Sequence, residues 1–444
     1  MPTLTSRHSS KAPMRPTHDS SNVNMKEVAS VILAGGEGSR LYPLTLSRCK
    51  PAVSFGGKYR LIDVPISNSI HSECQKIYIL TQFLSSSLHH HLFQTYLQGG
   101  KSSELIEILT AEQKPSHQHW FLGTADAVRQ NIQYLLESSV EYFLILSGDQ
   151  LYHLDFRAMV SFAKKTDADL VIAALPVGER DAGRMGILSV NEDDFVVDFH
   201  EKPQDKTLLN TLKSRSSVLE RANAGSTSKR PYLGSMGIYL FKRQALIDLL
   251  ASDLREDFGK HLIPTQVKKG KTAAFFYDGY WEDIGTIETF YHANINLTTE
   301  NPPFDFYHPA RPIFSHRYDL PPAKISNASI KEAILCEGSV VDADEVTSSL
   351  IGPRTHIQKG TIIRNSYLMG NDYFSEKHRS PVTPSIGQNC IIKGAIIDKN
   401  VSIGHGVHLT NKNKITQYNS DNLFVRDGII IVPRGATLPD GFIF

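Results

Sequence analysis

The stretch VASVILAGGEGSRLYPLTLSRCKPAV (residues 28–53) decides the fold of the first half of the chain. Its opening residues Val28–Leu33 are apolar or small on both faces, so they read as a strand covered on each side. The strand runs straight into Gly35, Gly36 and Gly38. Glycines after a strand let backbone N–H groups come close to an anion, and Arg40 and Lys50 add charge suited to a polyphosphate. The dinucleotide pattern G-x-G-x-x-G is broken, because Leu41 stands where its last glycine belongs, and no Gly-Lys-Ser/Thr follows to make a P-loop. A glycine turn alone is an ordinary structural feature; the two cations beside it turn the reading towards phosphate.

Further apolar strands are expected at Lys76–Thr81, Tyr142–Ser147 and Asp169–Leu175, with helices over Ala125–Glu137 and Phe156–Lys165 between them. Strands that alternate with helices and are apolar on both faces imply a parallel sheet covered on each side, an α/β domain. Residues 204–230 are rich in Ser, Lys and Arg and read as a loop thrown out from the domain, and strand character resumes at Tyr232. Pro302, Pro303, Pro309, Pro312, Pro321 and Pro322 mark residues 298–325 as an extended connection. Beyond it the period changes. Ile351, Ile357 and Ile363 are six apart, as are Ile391, Ile397, Ile403 and Leu409, and Gly352, Gly387 and Gly404 each follow an isoleucine. One aliphatic residue per six is one face of a triangular coil, so this half reads as a parallel β-helix. Residues 370–384 interrupt it as a loop between coils.

Composition narrows the function. The chain has 444 residues, 47 Lys+Arg against 46 Asp+Glu, and a formal charge of +1. That balance argues against a partner held by nucleic-acid phosphates or an anionic membrane surface. No run of about 18 apolar residues is present to span a bilayer. Cys49, Cys74, Cys336 and Cys390 form no C-x-x-C pair, which fits buried free thiols in a reducing, cytoplasmic compartment. Residues 1–26 are too poor in apolar groups to form a core and read as a disordered tail. Arg7, Lys11 and Arg15 among hydroxyl residues leave a plastid-type targeting peptide as the alternative.

Three more constellations bear on chemistry. Asp149 follows an apolar strand in Leu-Ser-Gly-Asp, at the sheet edge where open α/β proteins bind ligands. Asp283 in Trp-Glu-Asp-Ile-Gly-Thr is a second carboxylate, and the two could share one Mg²⁺. Glu201 and Lys202 stand together in Phe-His-Glu-Lys-Pro, able to take a sugar hydroxyl and a phosphate or simply to form a solvated pair. The run His89–His91 and the pair His117/His119 read as solvated helix surface, since neighbouring helical residues point apart and seldom converge on one metal.

Taken together, residues 35–70 (GGEGSRLYPLTLSRCKPAVSFGGKYRLIDVPISNSI), WFLGTADAVRQ (120–130), SGDQLYHLDF (147–156), FHEKP (199–203), GSMGIYLF (234–241) and WEDIGTIETFYHAN (281–294) resemble the ADP-glucose pyrophosphorylase family. GGxGxRL and WxDxGT are shared by sugar nucleotidyltransferases in general, whereas GTADAV, FGGKYRLID and SMGIYLF point to this branch. The resemblance implies a Rossmann-like nucleotidyltransferase domain over residues 27–297 and a left-handed parallel β-helix over residues 326–444. It implies the Mg²⁺-dependent reaction of ATP with α-D-glucose 1-phosphate to give ADP-glucose and diphosphate, committed to glycogen or starch. It implies that Gly35, Gly36, Gly38, Arg40 and Lys50 hold the ATP phosphates and that Gln82 and Gly123 lie against adenine. Gly186, Glu201, Lys202 and Ser235 would bind glucose 1-phosphate, with Phe121 packing where relatives often carry Tyr, and Asp149 and Asp283 would hold the metal. Arg40, Lys50, Asp149 and Lys202 would carry catalysis.

Family members are typically tetramers controlled by small anionic effectors, so a homotetramer with Arg48 and Arg60 near an effector is expected. Ser47 replaces a lysine of fructose-1,6-bisphosphate-activated members and Ser54 a histidine of some AMP-inhibited ones, which weakens either response; Lys412, Lys414 and Arg426 are further effector candidates. Rival readings are another nucleotide specificity, a catalytically silent regulatory subunit, and acyl transfer on the β-helix through His356, His405 or His408.

Overall fold

The computed structural model describes residues 23–98, 104–112, 119–222, 229–374 and 384–444. The glycine loop follows the strand Val28–Leu33, which pairs in parallel with Lys76–Thr81 on one side and Tyr142–Ser147 on the other. Ile106–Thr110 closes that edge, also in parallel. Beyond Tyr142–Ser147 the long strand Tyr232–Lys242 runs antiparallel to its neighbours. A bulge between Ser235 and Tyr239 splits it. One half pairs with Tyr142–Ser147, the other with Gly186–Val190, which in turn pairs with Val196–Glu201. The bulge lets the one strand change partners along its length.

Helices cover both faces. Phe156–Thr166 begins where Asp155 caps the Arg157 N–H and ends at Asp167 in the left-handed region. Phe156, Met159, Val160 and Ala163 line its buried face at helical spacing, each large side chain contributing about 1.5–3 kcal/mol. The helix expected over 125–137 is two, Thr124–Gln130 and Ile132–Glu137. Asn131 separates them, its Nδ2 donating back to Ala127 O at 2.9 Å.

Three expectations need correction. Residues 204–230 are not a bare loop: Lys206–Thr211, capped by Asp205, and Ser216–Arg221 are helical, and Leu209, Leu212, Val218 and Leu219 are buried. Sparse apolar residues among Ser, Lys and Arg hid that spacing; residues 223–228 lie outside the described residues. The histidine run is not uniformly solvated. His91 is buried and its Nε2 donates to Asp63 at 2.6 Å, while His89 meets Thr81 Oγ1 at 2.8 Å. His117 and residues 375–383 of the interrupting loop lie outside the described residues, as do residues 1–22. Within the segment read as a tail, Met25–Glu27 forms a 3₁₀ turn capped by Asn24, with Met25 buried.

Among the described residues no helix or strand stands between Asn296 and Lys324, yet the proline-rich connection is strapped to the first domain. Phe304 and Ile313 are buried, and Phe306 stacks on Tyr59 with centroids 4.2 Å apart. The Phe314 N–H donates to Ser67 Oγ, and Ser315 Oγ donates to Asp63. Asp63 thus accepts from His91, Tyr96, Ser315 and the Arg60 N–H, a full set of partners for a buried carboxylate.

The six-residue period holds for Ile351, Ile357, Ile363, Ile397, Ile403 and Leu409, but Ile391 is off by one. Ile392 is the buried residue of that coil, paired between Ile363 and Leu409, because the coil entered from the interrupting loop is one residue short of the period. Ile351, Ile357 and Ile363 fall on three successive faces, and each continues a parallel stack that Leu335, Val341 and Val346 precede. Ile351 lies under Leu368 and Ile397, Ile357 under Ile386 and Ile403, and Ile363 under Ile392 and Leu409. All are buried. Gly352 packs so closely on the next coil that a Cβ would sit 2.5 Å from Met369 backbone atoms.

The two halves share a core. Phe290 packs near Tyr367, the Tyr291 hydroxyl donates to Asn365 O at 2.6 Å, and Gly57 N–H donates to Tyr367 Oη. Tyr42 meets Phe424 edge to face at 5.5 Å. Arg48, fully buried, pairs with Asp398 of the β-helix and also donates to Leu44 O. Removing one member of a buried pair strands the other charge. Asp398→Asn should therefore cost about 3–5 kcal/mol in chemical denaturation, whereas Arg48→Met with Asp398→Leu should recover most of it; equal losses would contradict this account.

Candidate active site

Local geometry begins at Gly38. Its φ of +68° belongs to the left-handed region, and a Cβ there would lie 2.7 Å from Lys50 Cβ, so only glycine lets the loop close over the lysine. Lys50 opens a 3₁₀ turn whose Pro51 and Ala52 are buried, which fixes its direction. Its ammonium points to Asp149, a hydrogen-bonded ion pair, and lies 3.6 Å from Asp283 Oδ1.

The two carboxylates come together through a small ribbon. Gln150–Tyr152 pairs antiparallel with Trp281–Asp283, Asp283 opposite Gln150, and the Ile284 N–H donates to Asp149 O. Gln150 braces the ribbon, accepting from Trp281 Nε1 at 3.3 Å and donating to Met236 O at 2.8 Å. Ser147 Oγ donates to Asp149 Oδ1. Burial alone would depress Lys50, but Asp149 and Asp283 outweigh it and hold the ammonium above the usual lysine range. Burial likewise opposes ionisation of Asp149, where Lys50 and Ser147 prevail and hold its pKa low. For Asp283 burial prevails, with Asp149 adding to it, and its pKa is raised.

Two cavities open on this centre. One of about 700 Å³ is lined by Gly35, Gly36, Gly38, Gln82, Phe121 and Gly123, together with Arg40, Lys50 and Asp149. Gln82 and Phe121 lock each other: the Phe121 N–H donates to Gln82 Oε1 at 2.6 Å and Gln82 Nε2 donates to Phe121 O at 3.3 Å. At Gly123 a Cβ would lie 2.4 Å from Glu256 O, the carbonyl that caps Ala125 and Asp126 N–H. The other cavity, about 360 Å³, is lined by Arg40, Lys202, Asp283, Trp281, Arg184 and Arg230 among others. Arg40 lines both.

Gly186, Glu201 and Ser235 are not in the wall of either cavity. They form a row on three adjacent strands: Gly186 is paired with Glu201, and Ser235 follows directly on the Gly234–Ile187 pair. A Cβ on Gly186 would come within 2.9 Å of Glu201 Oε2, as would one on Gly259. Lys202 leaves that row at φ +48° and its Nζ reaches Glu201 at 3.1 Å, which links the row to the second cavity. Arg48 and Arg60 are elsewhere, beneath the β-helix. Arg48 is taken by Asp398, and Arg60 donates to Ala52 O at 2.7 Å. Arg426 packs over the Tyr42 and Phe424 rings and donates to Tyr418 O. His405 Nδ1 accepts from the Gln388 N–H.

Sequence reasoning left Ser147, Gln150, Arg184 and Arg230 without a role. The short alternating segments Gln150–Tyr152 and Trp281–Asp283 carried the available signal for the ribbon. Among the described residues no group of three His, Cys, Asp or Glu side chains converges on one point. The pair of carboxylates flanking one cation nevertheless fits a hard divalent ion that takes one or two carboxylates and completes its shell with phosphate and water oxygens.

The chain matches the family model described as "Nucleotidyl transferase" over residues 29–300, so it belongs to that family and is of the transferase class. Residues 317–443 match the model described as "GLGC left-handed parallel beta-helix domain". Together the two make the architecture characteristic of the ADP-glucose pyrophosphorylase family. Among the described residues no helix is long and apolar enough to cross a membrane.

Glu282, in the wall of the second cavity, gives a pH test. Burial raises its pKa from 4.5 to about 6, against the pull of Arg184. Between those values the folded chain keeps a proton that the unfolded chain has released, so stability falls as pH rises through the window, and the full cost is present above it. Glu282→Gln should melt like the wild type at pH 4 and gain about 1 kcal/mol at pH 8, its burial being incomplete. Melting curves at the two pH values check this, and a gain independent of pH would contradict it.

Proposed function

We propose that this chain is a glucose-1-phosphate adenylyltransferase that converts ATP and α-D-glucose 1-phosphate to ADP-glucose and diphosphate. The observation that carries the reading is the pair of cavities meeting at Arg40, on either side of the Asp149–Lys50–Asp283 centre. The larger, with its glycine loop and the Gln82–Phe121 lock, suits a nucleotide. The smaller, with Lys202 at its edge, suits a sugar phosphate. The choice of adenine and glucose rests on the resemblance of residues 120–130, 55–63 and 234–241 to the family.

Nucleophile and electrophile are both anions, so the protein's task is neutralisation and alignment. Lys202 holds the phosphate of glucose 1-phosphate, an oxygen of which attacks the α-phosphorus in line. Arg40, common to both cavities, stabilises charge on the departing diphosphate, and the backbone N–H groups of Gly35–Gly38 hold the polyphosphate still. Asp149 and Asp283 would hold Mg²⁺, which when bound supplies Lewis-acid neutralisation of phosphate oxygens. The attacking phosphate is already ionised near neutral pH, so no general base is required. Glu201, Gly186 and Ser235 form the sugar-facing row in this reading, and Phe121 offers ring packing without a hydroxyl.

Arg40, Lys50, Asp149 and Lys202 are all present, which favours an active enzyme over a silent subunit. We further propose a tetramer in which Arg48 and Arg60 answer an anionic effector. Such a ligand has to displace Asp398 from Arg48, which fits a weak response.

Diphosphate release should occur with glucose 1-phosphate and ATP in the presence of Mg²⁺, and not with UTP, GTP, CTP or dTTP. Asp149→Asn should lower kcat by on the order of a hundredfold or more with the fold intact. Near-normal turnover in that variant would remove Asp149 from the mechanism. Turnover with another nucleotide would move the specificity, and silence with all five would favour the regulatory-subunit reading. Lys202→Ala should raise KM for glucose 1-phosphate with little change for ATP.

A further inference from the structure

Lys50 occupies the place between the carboxylates that a divalent ion needs. Its Nζ is hydrogen-bonded to Asp149 Oδ2 and 3.6 Å from Asp283 Oδ1, on a side chain only 10% exposed. Three separate elements fix the three groups: the 3₁₀ turn Lys50–Ala52 carries the lysine, and the ribbon of Gln150–Tyr152 with Trp281–Asp283 sets the two aspartates. Arg40 stands beside them, near enough to Asp283 that a Cβ on Gly285 would be 2.9 Å from Asp283 Oδ2 and 3.4 Å from Arg40 Nη2. Two carboxylates thus face two cations, and the centre is formally neutral. A neutral centre with an ammonium in its middle gives a bare divalent ion little reason to enter. A polyphosphate changes that, because it brings anionic oxygens to which the ammonium can move.

We propose that Lys50 is a built-in counter-ion of the Asp149/Asp283 pair that keeps divalent metal out until a nucleotide draws the lysine away. Metal entry and the transfer of Lys50 to the polyphosphate are then one exchange. The inference rests on the reading of these two aspartates as the metal-holding pair. Its consequence is positive coupling, in which nucleotide raises the affinity for metal and metal raises the affinity for nucleotide. A lysine that served only to neutralise phosphate has no such effect on the nucleotide-free protein.

The test uses Mn²⁺ as the probe, with full-length protein and no nucleotide, the free ion being followed by electron paramagnetic resonance. Lys50→Gln should bind Mn²⁺ at least about tenfold more tightly than the wild type, since it leaves a net negative carboxylate pair. Lys50→Arg keeps the charge and should stay at the wild-type value, and Lys50→Gln/Asp283→Asn should lose the gain. Unchanged or weaker Mn²⁺ binding in Lys50→Gln, or a gain that survives in the double variant, would overturn the proposal. The wild type gives an independent readout if a variant fails to fold. Without nucleotide, millimolar Mn²⁺ should leave its melting temperature unchanged, and clear stabilisation by Mn²⁺ alone would overturn the exchange. Diphosphate release by the wild type separates the two readings. Turnover with ATP alongside unaltered Mn²⁺ binding removes the exchange alone, and absence of turnover with every nucleotide removes the activity while the Mn²⁺ titration still reports on Lys50.

Discussion

Burying the ammonium of Lys50 governs the layout of the ligand edge. A charge taken from water needs partners at contact distance, and the chain supplies them from two segments far apart in sequence, Asp149 and Asp283. To bring them together the strand after Asp149 must pair with Trp281–Asp283, and Gln150 must tie that ribbon to Met236 and Trp281. To let Lys50 in, the loop must turn left-handed at Gly38. The two cavities are the spaces left on either side of this arrangement, and Arg40 stands where they join.

The same loop is gripped from behind. Between Arg40 and Lys50 lie Tyr42, packed on Phe424, and Arg48, paired with Asp398. Both partners belong to the β-helix, so the first domain does not set the position of its glycine loop alone. The β-helix stacks its isoleucines into a rigid rod and presents Tyr367, Asp398 and Phe424 from fixed coils. A shift of that rod relative to the sheet acts on the segment that carries Arg40 and Lys50. The proline-rich strap adds a second hold through Asp63, which gathers its four donors from three separate chain segments.

Much of this was legible where a short-range period or a local motif carries the information. Val28–Leu33 with its glycines, the strands at 76–81 and 142–147, and the hexad isoleucines all announce themselves, because burial on a fixed period leaves a fixed pattern. Gly38 and Asp149 could be picked out because they follow strand ends, and Arg40 and Lys50 because they are the cations next along the chain from the glycine loop. What was hidden depends on pairing over long separations. An arginine in a polar loop reads as exposed, and only the docked β-helix makes Arg48 a buried one. His91 reads as helix surface until Asp63 is brought against it. The bulge at Ser235–Tyr239, which sets the row of Gly186, Glu201 and Ser235, has no signature beyond Gly237. Helices in 204–230 were lost because a handful of leucines and a valine had to be heard above a polar majority.

The central claim is that two substrates meet across one charged centre and react directly, with no covalent stage on the protein. Lys50 is an ammonium between Asp149 and Asp283, and in this reading it stays an ammonium when it turns to the polyphosphate, so it offers no lone pair for attack. The most direct test is the exchange of labelled diphosphate into ATP with Mg²⁺ present. The account predicts that label enters ATP only when ADP-glucose is supplied, because diphosphate needs the intact sugar nucleotide to attack. Exchange with ATP and diphosphate alone would require a nucleotidyl group parked on a side chain, and would contradict the direct transfer on which this reading of the site is built.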